Sequence, residues 1–301
     1  MAVRKVLPTR SLALFVVLIL GVLGLVGCSQ SKAGNQGGAQ EAPVSDSKAS
    51  DSTTDEGPVW VLVKETTTYK EDEFETSYVV TYELDEHGNT MSATHDSGGG
   101  EPYVTTYEFD EDGFVTKYTE TGYETATVTN TLKKDDQGRE VKCTSDDGST
   151  IETTYGANGH VKSRVFCTPT KAEDEEGNMV DSGTYTTTVN YGEDGFVTDG
   201  VTTSTDHGSA SFGYAYTKTY ERDADGKATG MTTTTFQIDE SGNPVDETAT
   251  TTTSKLEYDE NGNLVRVTGE GTGHDAITEY EYVKVEDPSL YVRLESHLKY
   301  L

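Results

Sequence analysis

The stretch Leu256–Gly269, LEYDENGNLVRVTG, decides the fold, because looser copies of it recur along most of the chain. Aligned without gaps on one glycine, they are LDEHGNT at Gly88, FDEDGFV at Gly113, KDDQGRE at Gly138, YGANGHV at Gly159 and EDEEGNM at Gly177. The series continues with YGEDGFV at Gly195, RDADGKA at Gly226, IDESGNP at Gly242 and YDENGNL at Gly262. Successive glycines lie 25, 25, 21, 18, 18, 31, 16 and 20 residues apart, an average near 22. That interval fits two strands of about eight residues and two turns, so the chain reads as tandem hairpins. In the fixed turn, Asp259 opens a type I turn with its carboxylate accepting a backbone N–H. Gly262 then takes the left-handed conformation that closes a three-residue hairpin with a bulge. Intervening turn signals, SGGGEP, ETG, SDDGS, DSG, DHGS and GEGTG, supply the second bend of each unit.

The flanking residues alternate. Counting back from the turn glycine by four, six, eight and ten gives Leu84, Tyr82, Val80 and Tyr78, then Phe109, Tyr107, Thr105 and Tyr103, and later Tyr191, Val189, Thr187 and Tyr185. The interleaved positions are mostly polar, which is the period-two signature of a strand buried on one face. About one residue in six is Thr, a residue suited to a pleated surface and disfavoured in helix. A sheet this long cannot stay flat and open. The expectation is an all-β antiparallel meander of about 18–20 strands, curled into a barrel-like or sandwich form. In DPSLYVRLESHLKYL the pattern breaks: Asp287 as N-cap, Pro288 and leucines at 290, 294, 298 and 301 predict a short C-terminal helix over 287–301.

Before the repeats comes a different kind of sequence. Arg4, Lys5 and Arg10 precede an apolar run from Leu12 to Gly27, shorter than the ~20 residues a spanning helix needs and laid out like an export signal. Leu25-Val26-Gly27-Cys28 resembles the lipobox of bacterial lipoproteins. The resemblance implies removal of residues 1–27 by cleavage between Gly27 and Cys28, lipid on the Cys28 sulfur, and a protein held on the outer side of the cell membrane; several acyl chains on one residue give stable anchoring. Residues 28–57 are rich in Gly, Ser, Asp and Gln and read as a tether spanning some 30 Å on average at ~5–6 Å × √n. The repeat domain then occupies 58–286.

The chain carries 53 acidic and 23 basic residues; loss of Arg4, Lys5 and Arg10 with the signal takes its formal charge from −30 to −33. Such a surface repels nucleic acid and anionic lipid head groups. EFDEDG, ERDADG and EYDENG space their oxygen-bearing side chains as a calcium loop does, but the position of the bidentate Glu holds Thr119, Thr232 or Thr268. Without that ligand only weak Ca2+ association is expected. The six histidines, at 87, 95, 160, 207, 274 and 297, show no metal-ligand spacing, and no nucleophile elbow or P-loop is present, so neither an enzyme nor a cofactor is expected. Once Cys28 is lipidated, Cys143 and Cys167 remain as a candidate disulfide. A simple meander puts them on strands separated by a third and offset by about four residues, some 16 Å at ~4.8 Å per strand and ~3.3 Å per residue. That exceeds the ~7 Å Cα limit.

YDENGNLVRVTG is similar to the YD (Rhs-type) repeat of bacterial surface and toxin-shell proteins: Tyr258, Asp259, Gly262, Asn263 and Leu264 all match. Elsewhere Leu84, Phe109, Ile238, Lys134 and Arg222 stand for the Tyr, and Gly156 and Gly192 for the Asp. The resemblance implies a curling sheet of hairpins that encloses or displays something. The main expectation is therefore a non-catalytic, lipid-anchored surface protein that displays its sheet to an extracellular protein or glycan. The alternative is an envelope scaffold or carrier enclosing a small or lipidic ligand. An interior apolar cavity would mark the carrier, and exposed rows of Tyr the display protein.

Overall fold

The computed structural model describes residues 57–71, 74–122, 125–173, 179–206, 209–239, 242–270 and 275–298. The signal, Gly27, Cys28, most of the tether, Gly177, His207, His274 and Leu301 lie outside them. Sixteen strands follow one another: β1 Val59–Glu71, β2 Phe74–Leu84, β3 Thr90–Asp96, β4 Tyr103–Phe109, β5 Val115–Thr121, β6 Ala126–Lys134, β7 Glu140–Ser145 and β8 Thr150–Tyr155. The second half comprises β9 Val161–Glu173, β10 Met179–Tyr191, β11 Val197–Asp206, β12 Ser209–Arg222, β13 Ala228–Ile238, β14 Pro244–Tyr258, β15 Leu264–Glu270 and β16 Asp275–Val285. Each strand pairs antiparallel with its neighbours in sequence, and β1 pairs with β16, so the meander closes into a barrel. Closure leaves no free sheet edge.

The strand number is sixteen because the intervals of 18, 18, 16 and 20 residues each hold one long strand rather than two. β9, β10, β13 and β14 fill those intervals, so Gly242 falls at the opposite end of the barrel from Gly88, Gly113, Gly138, Gly159, Gly195, Gly226 and Gly262. DSG is not a turn either: Gly183 sits within β10, at a register shift that a Cβ would block by overlapping the Thr205 carbonyl.

The face read as buried is the one that lines the lumen. Val80, Tyr82, Tyr107, Val189 and Tyr191 are buried there, and Tyr78, Leu84, Phe109, Tyr118, Tyr280 and Tyr282 pack against them. Outside, hydroxyls bond across strands, as in Thr68–Ser77 at 3.1 Å, Thr119–Thr127 at 3.1 Å and Thr234–Thr251 at 3.3 Å. Ion pairs also span neighbouring outer positions: Lys64–Glu281 at 2.7 Å, Lys117–Glu108 at 2.6 Å and Lys142–Glu152 at 2.7 Å.

The repeat turns close tightly. Asp259 N–H donates to Asn263 O at 3.0 Å and Gly262 N–H to Asp259 O at 3.2 Å. Gly262 has φ +87°, and the eight aligned glycines among the described residues have φ between +78° and +91°.

The helix, α1, is shorter than expected, running only from Leu290 to Glu295. Its N-cap is Ser289, whose hydroxyl accepts from Val292 N–H at 3.2 Å, while Asp287 stands exposed outside it. Six residues cannot hold a helix alone; docking does. Ser289 N–H donates to His87 O at 3.1 Å and Tyr291 N–H to Asp112 O at 3.0 Å. Val292 packs with Val59, Val61 and Val285, and Leu298 with Val161, Tyr191 and Val197. The C-terminal segment thus crosses the barrel mouth formed by the turns at Gly88, Gly113, Gly138, Gly159 and Gly195 and caps it.

Candidate binding site in the barrel lumen

Beneath the cap, the wall from β4 to β9 encloses a cavity of about 110 Å³, set in roughly 1090 Å³ of unfilled space that continues to solvent. Its floor is apolar and aromatic. Phe114, turned inward by the bend at Gly113, meets Tyr291 edge-on with ring centroids 5.5 Å apart, and Tyr107, Tyr118, Ile151, Tyr155 and Phe166 complete that lining. These side chains arrive together because alternate residues of adjacent strands share a face: Tyr107 pairs with Tyr118, Cys143 with Ile151, and Ile151 with Phe166.

The charged groups are few and placed at two levels. At the floor, Arg164 on β9 forms a two-pronged ion pair with Glu295 of α1, one contact being Nη1 to Oε2 at 3.1 Å. Both residues are almost fully buried, Arg164 at 4% and Glu295 at 1% exposure. Glu140 lies close by. Burial pushes its carboxyl up to about 7, with the Arg164 guanidinium opposing and Glu295 and Asp110 adding to the rise. Nearer the open end stand Glu120, opposite Thr105 in the β4–β5 pairing, and Asp147 at the rim. Burial raises the Glu120 carboxyl above its ordinary value. The Thr105 and Tyr107 hydroxyls, on residues 1% and 8% exposed, lie near each other but make no hydrogen bond of ordinary geometry with the described residues.

The remaining sequence candidates lie elsewhere. Asp259 turns its carboxylate onto its own loop, accepting from the backbone N–H of Asn261 at 2.9 Å and of Asn263 at 2.8 Å and from Asn263 Nδ2 at 2.9 Å. Burial works against its charge, but these donors outweigh that and hold the carboxyl below its ordinary value. Asp110 and Asp223 likewise accept backbone N–H groups of their own turns. Among the described residues no three His, Cys, Asp or Glu side chains are placed to hold a metal ion.

Cys143 and Cys167 are both free thiols. β8 separates them, and through it their rows are offset by one residue rather than four, since Cys143 pairs with Ile151 and Ile151 with Phe166, next to Cys167. One-residue offset also reverses the face: Cys143 lines the cavity and Cys167 belongs to the outer wall. Of the described histidines, His95 is buried on the lumen side, stacked on Tyr103 at 4.2 Å and bonded through Nδ1 to Tyr78 Oη at 2.6 Å. Burial lowers its pKa to about 4. His160 stacks on His297 of the cap at 3.9 Å.

Sequence reasoning identified the lumen-facing rows but not Arg164, Glu120, Glu140 or Glu295. The signal was there for Arg164: a charge in register with Phe166 on an otherwise apolar face.

No protein-family model and no curated protein matches the chain. Among solved structures, it is similar to a porin-like protein from Bacteroides uniformis ATCC 8492, at 13% identity over 74% of this chain and 98% of that one, with a TM-score of 0.37. A porin-like protein from Bacteroides vulgatus ATCC 8482 covers the same shares at 13% identity and a TM-score of 0.34. The TcdB2-TccC3-TEV structure is similar at 12% identity over 76% of this chain and 16% of that one, with a TM-score of 0.27. Likenesses this distant say nothing of what the barrel binds.

Proposed function

We propose that this protein is a non-catalytic carrier, tethered outside the cell membrane through lipid on Cys28, whose barrel takes a small ligand into its lumen. The observation that carries this reading is the aromatic-lined cavity beneath the cap. It favours enclosure over display, because the Tyr rows turn inward. A concave, mostly apolar pocket with a few convergent polar groups is the usual form of a small-molecule site.

The outer wall bears on location. A membrane-spanning barrel carries an outward apolar band ~25 Å tall, whereas this wall has hydroxyl pairs and exposed ion pairs across its strands. Exposed apolar side chains on the described surface are scattered: Tyr69, Met91, Val180 and Val283. The barrel is therefore read as standing in water on its tether, with the lipid alone in the bilayer. Replacing Cys28 by Ser should move the protein from the membrane fraction to the soluble fraction.

All strand pairings lie within residues 59–285 and the cap ends by 298, so a fragment of residues 57–301 contains the whole barrel. Titrated with a neutral environment-sensitive fluorophore such as Nile red, it should show saturable one-site binding. Ile151→Trp, which fills the cavity, should weaken that binding at least tenfold with the melting temperature held. Absence of saturable binding would refute the carrier reading.

A further inference from the structure

We infer that the lumen pocket is built for an organic ammonium ion, a ligand with an apolar body and a protonated amine. The inference rests on the carrier reading and specifies its ligand class. Three features of the pocket converge on it.

The first is charge. Glu120, Glu140 and Asp147 line the cavity, and its one lining cation, Arg164, is already committed to Glu295. Lys218 also lies on the lumen face, but on β12, away from this lining. An anionic ligand would meet three acidic side chains with no free cation among the lining residues, and the surplus of acid over the whole chain opposes its entry. A cation is drawn in by both.

The second is the ring lining. Tyr107, Tyr118, Phe166 and Tyr291 present π-systems around the space, and aromatic faces attract cations more strongly once water is excluded. The chain already uses this contact nearby: Lys134 Nζ sits 4.6 Å from the Phe114 ring centre, and Arg139 lies 4.2 Å from that of Tyr155.

The third is hydrogen bonding. Thr105 Oγ1 and Tyr107 Oη are buried on the cavity wall near each other, neither in a hydrogen bond of ordinary geometry, and Glu120 is the residue paired with Thr105. Buried hydroxyls left unmatched are costly. An ammonium N–H directed at this corner satisfies hydroxyl oxygens and carboxylate together, while the apolar body of the ligand rests on Ile151, Phe166 and Phe114 toward the cap. A quaternary ammonium, lacking N–H, would satisfy only the charge.

The test compares three probes of one size on the 57–301 fragment by calorimetric titration: 2-phenylethylamine, 2-phenylethanol and 3-phenylpropionate, beside the Nile red titration above. The amine should bind at least tenfold tighter than the alcohol, with the carboxylate weakest. Glu120→Gln should cost the amine about tenfold and leave the alcohol unchanged; Thr105→Val, a gentler change, should cost the amine a few-fold. If the alcohol equals the amine, or the carboxylate binds best, while Nile red still binds, the ammonium inference falls and the carrier reading stands. If none of the three probes nor Nile red binds, both fall. The comparison of probes on the unmodified fragment decides the matter even where a variant does not fold.

Discussion

The buried pair between Arg164 and Glu295 should behave as the clasp that holds the cap on the barrel. It joins residues 131 positions apart, contacts through both prongs of the guanidinium, and is almost wholly removed from water. Removing one partner of such a pair strands a buried charge and costs ~3–5 kcal/mol, whereas replacing both by apolar residues of similar volume is often close to neutral. Arg164→Met and Glu295→Leu should therefore each destabilise the barrel by about 3 kcal/mol or more, and the double variant by markedly less than their sum. Glu140 adds a second, pH-dependent signature. In Glu295→Gln the Arg164 guanidinium still acts on it, so its carboxyl, no longer pushed up by Glu295, falls below the value of about 7 it has in the intact protein. The cost of Glu295→Gln should then be smaller at pH 8, where Glu140 is ionised and neutralises Arg164, than at pH 5. Urea denaturation followed by tyrosine fluorescence, on all four members of the cycle and, at both pH values, on the intact protein and Glu295→Gln, measures each quantity. Single variants costing under ~1 kcal/mol, or a double variant as costly as the sum, would refute the clasp.

Two glycines with the same backbone separate turn strain from packing. Gly262→Ala meets open space and should cost ~1–2 kcal/mol for the left-handed conformation alone, and Gly262→Val more; Gly195→Ala would drive a methyl into the His297 carbonyl and should cost clearly more while loosening the cap, as read by proteolysis of the C-terminus. Asp259→Ala removes a charged acceptor of several donors and should cost ~1.5–3 kcal/mol; because folding lowers this carboxyl's pKa, its contribution is present above the ordinary value of 3.8 and is lost as pH falls through the folded value. His95 titrates near 4 when folded and 6.5 when not, so the unfolded chain binds the extra proton between them. Stability should fall as pH drops from 6.5 toward 4, by on the order of 2 kcal/mol relative to His95→Gln at the same pH. Cys167 should react with a soluble maleimide in the native protein, while Cys143, buried and with its thiol pushed up to about 12, should react only on unfolding.

Strand identity, the buried face and the turn glycines were legible because each rests on local geometry: period two for the wall, a left-handed φ for the bend. The position of Asp259 was legible for the same reason, though not its full role. The side chain of Asn263 is wholly buried and reaches back to the Asp259 carboxylate, and Asn89 repeats this with Asp85 at 2.9 Å. The count of strands was less legible, because a spacing of 16–20 residues is two short strands or one long one and only the pairing partner decides. DSG looks like a bend but is a bulge in β10, and no glycine stands between the end of β1 and the start of β2 to announce their separation. The pocket was not legible. Glu120, Glu140 and Arg164 are inward only in the folded register, and Glu295 meets Arg164 through contacts that no local pattern encodes.

Antiparallel closure also sets a rule of parity. Each strand in this ring runs opposite to both neighbours, and the first must run opposite to the last. Only an even number of strands satisfies that. A chain of this design can widen or narrow by whole hairpins, duplicated or deleted as two-strand units, but never by one strand. The unequal spacing of the turn glycines is compatible with such a history, since each hairpin answers only to its neighbours while the ring answers to the total. Circumference, and with it the bore available to a ligand, is therefore quantised in steps of two strands, and a variant that lost one hairpin would offer a narrower vessel rather than an open sheet.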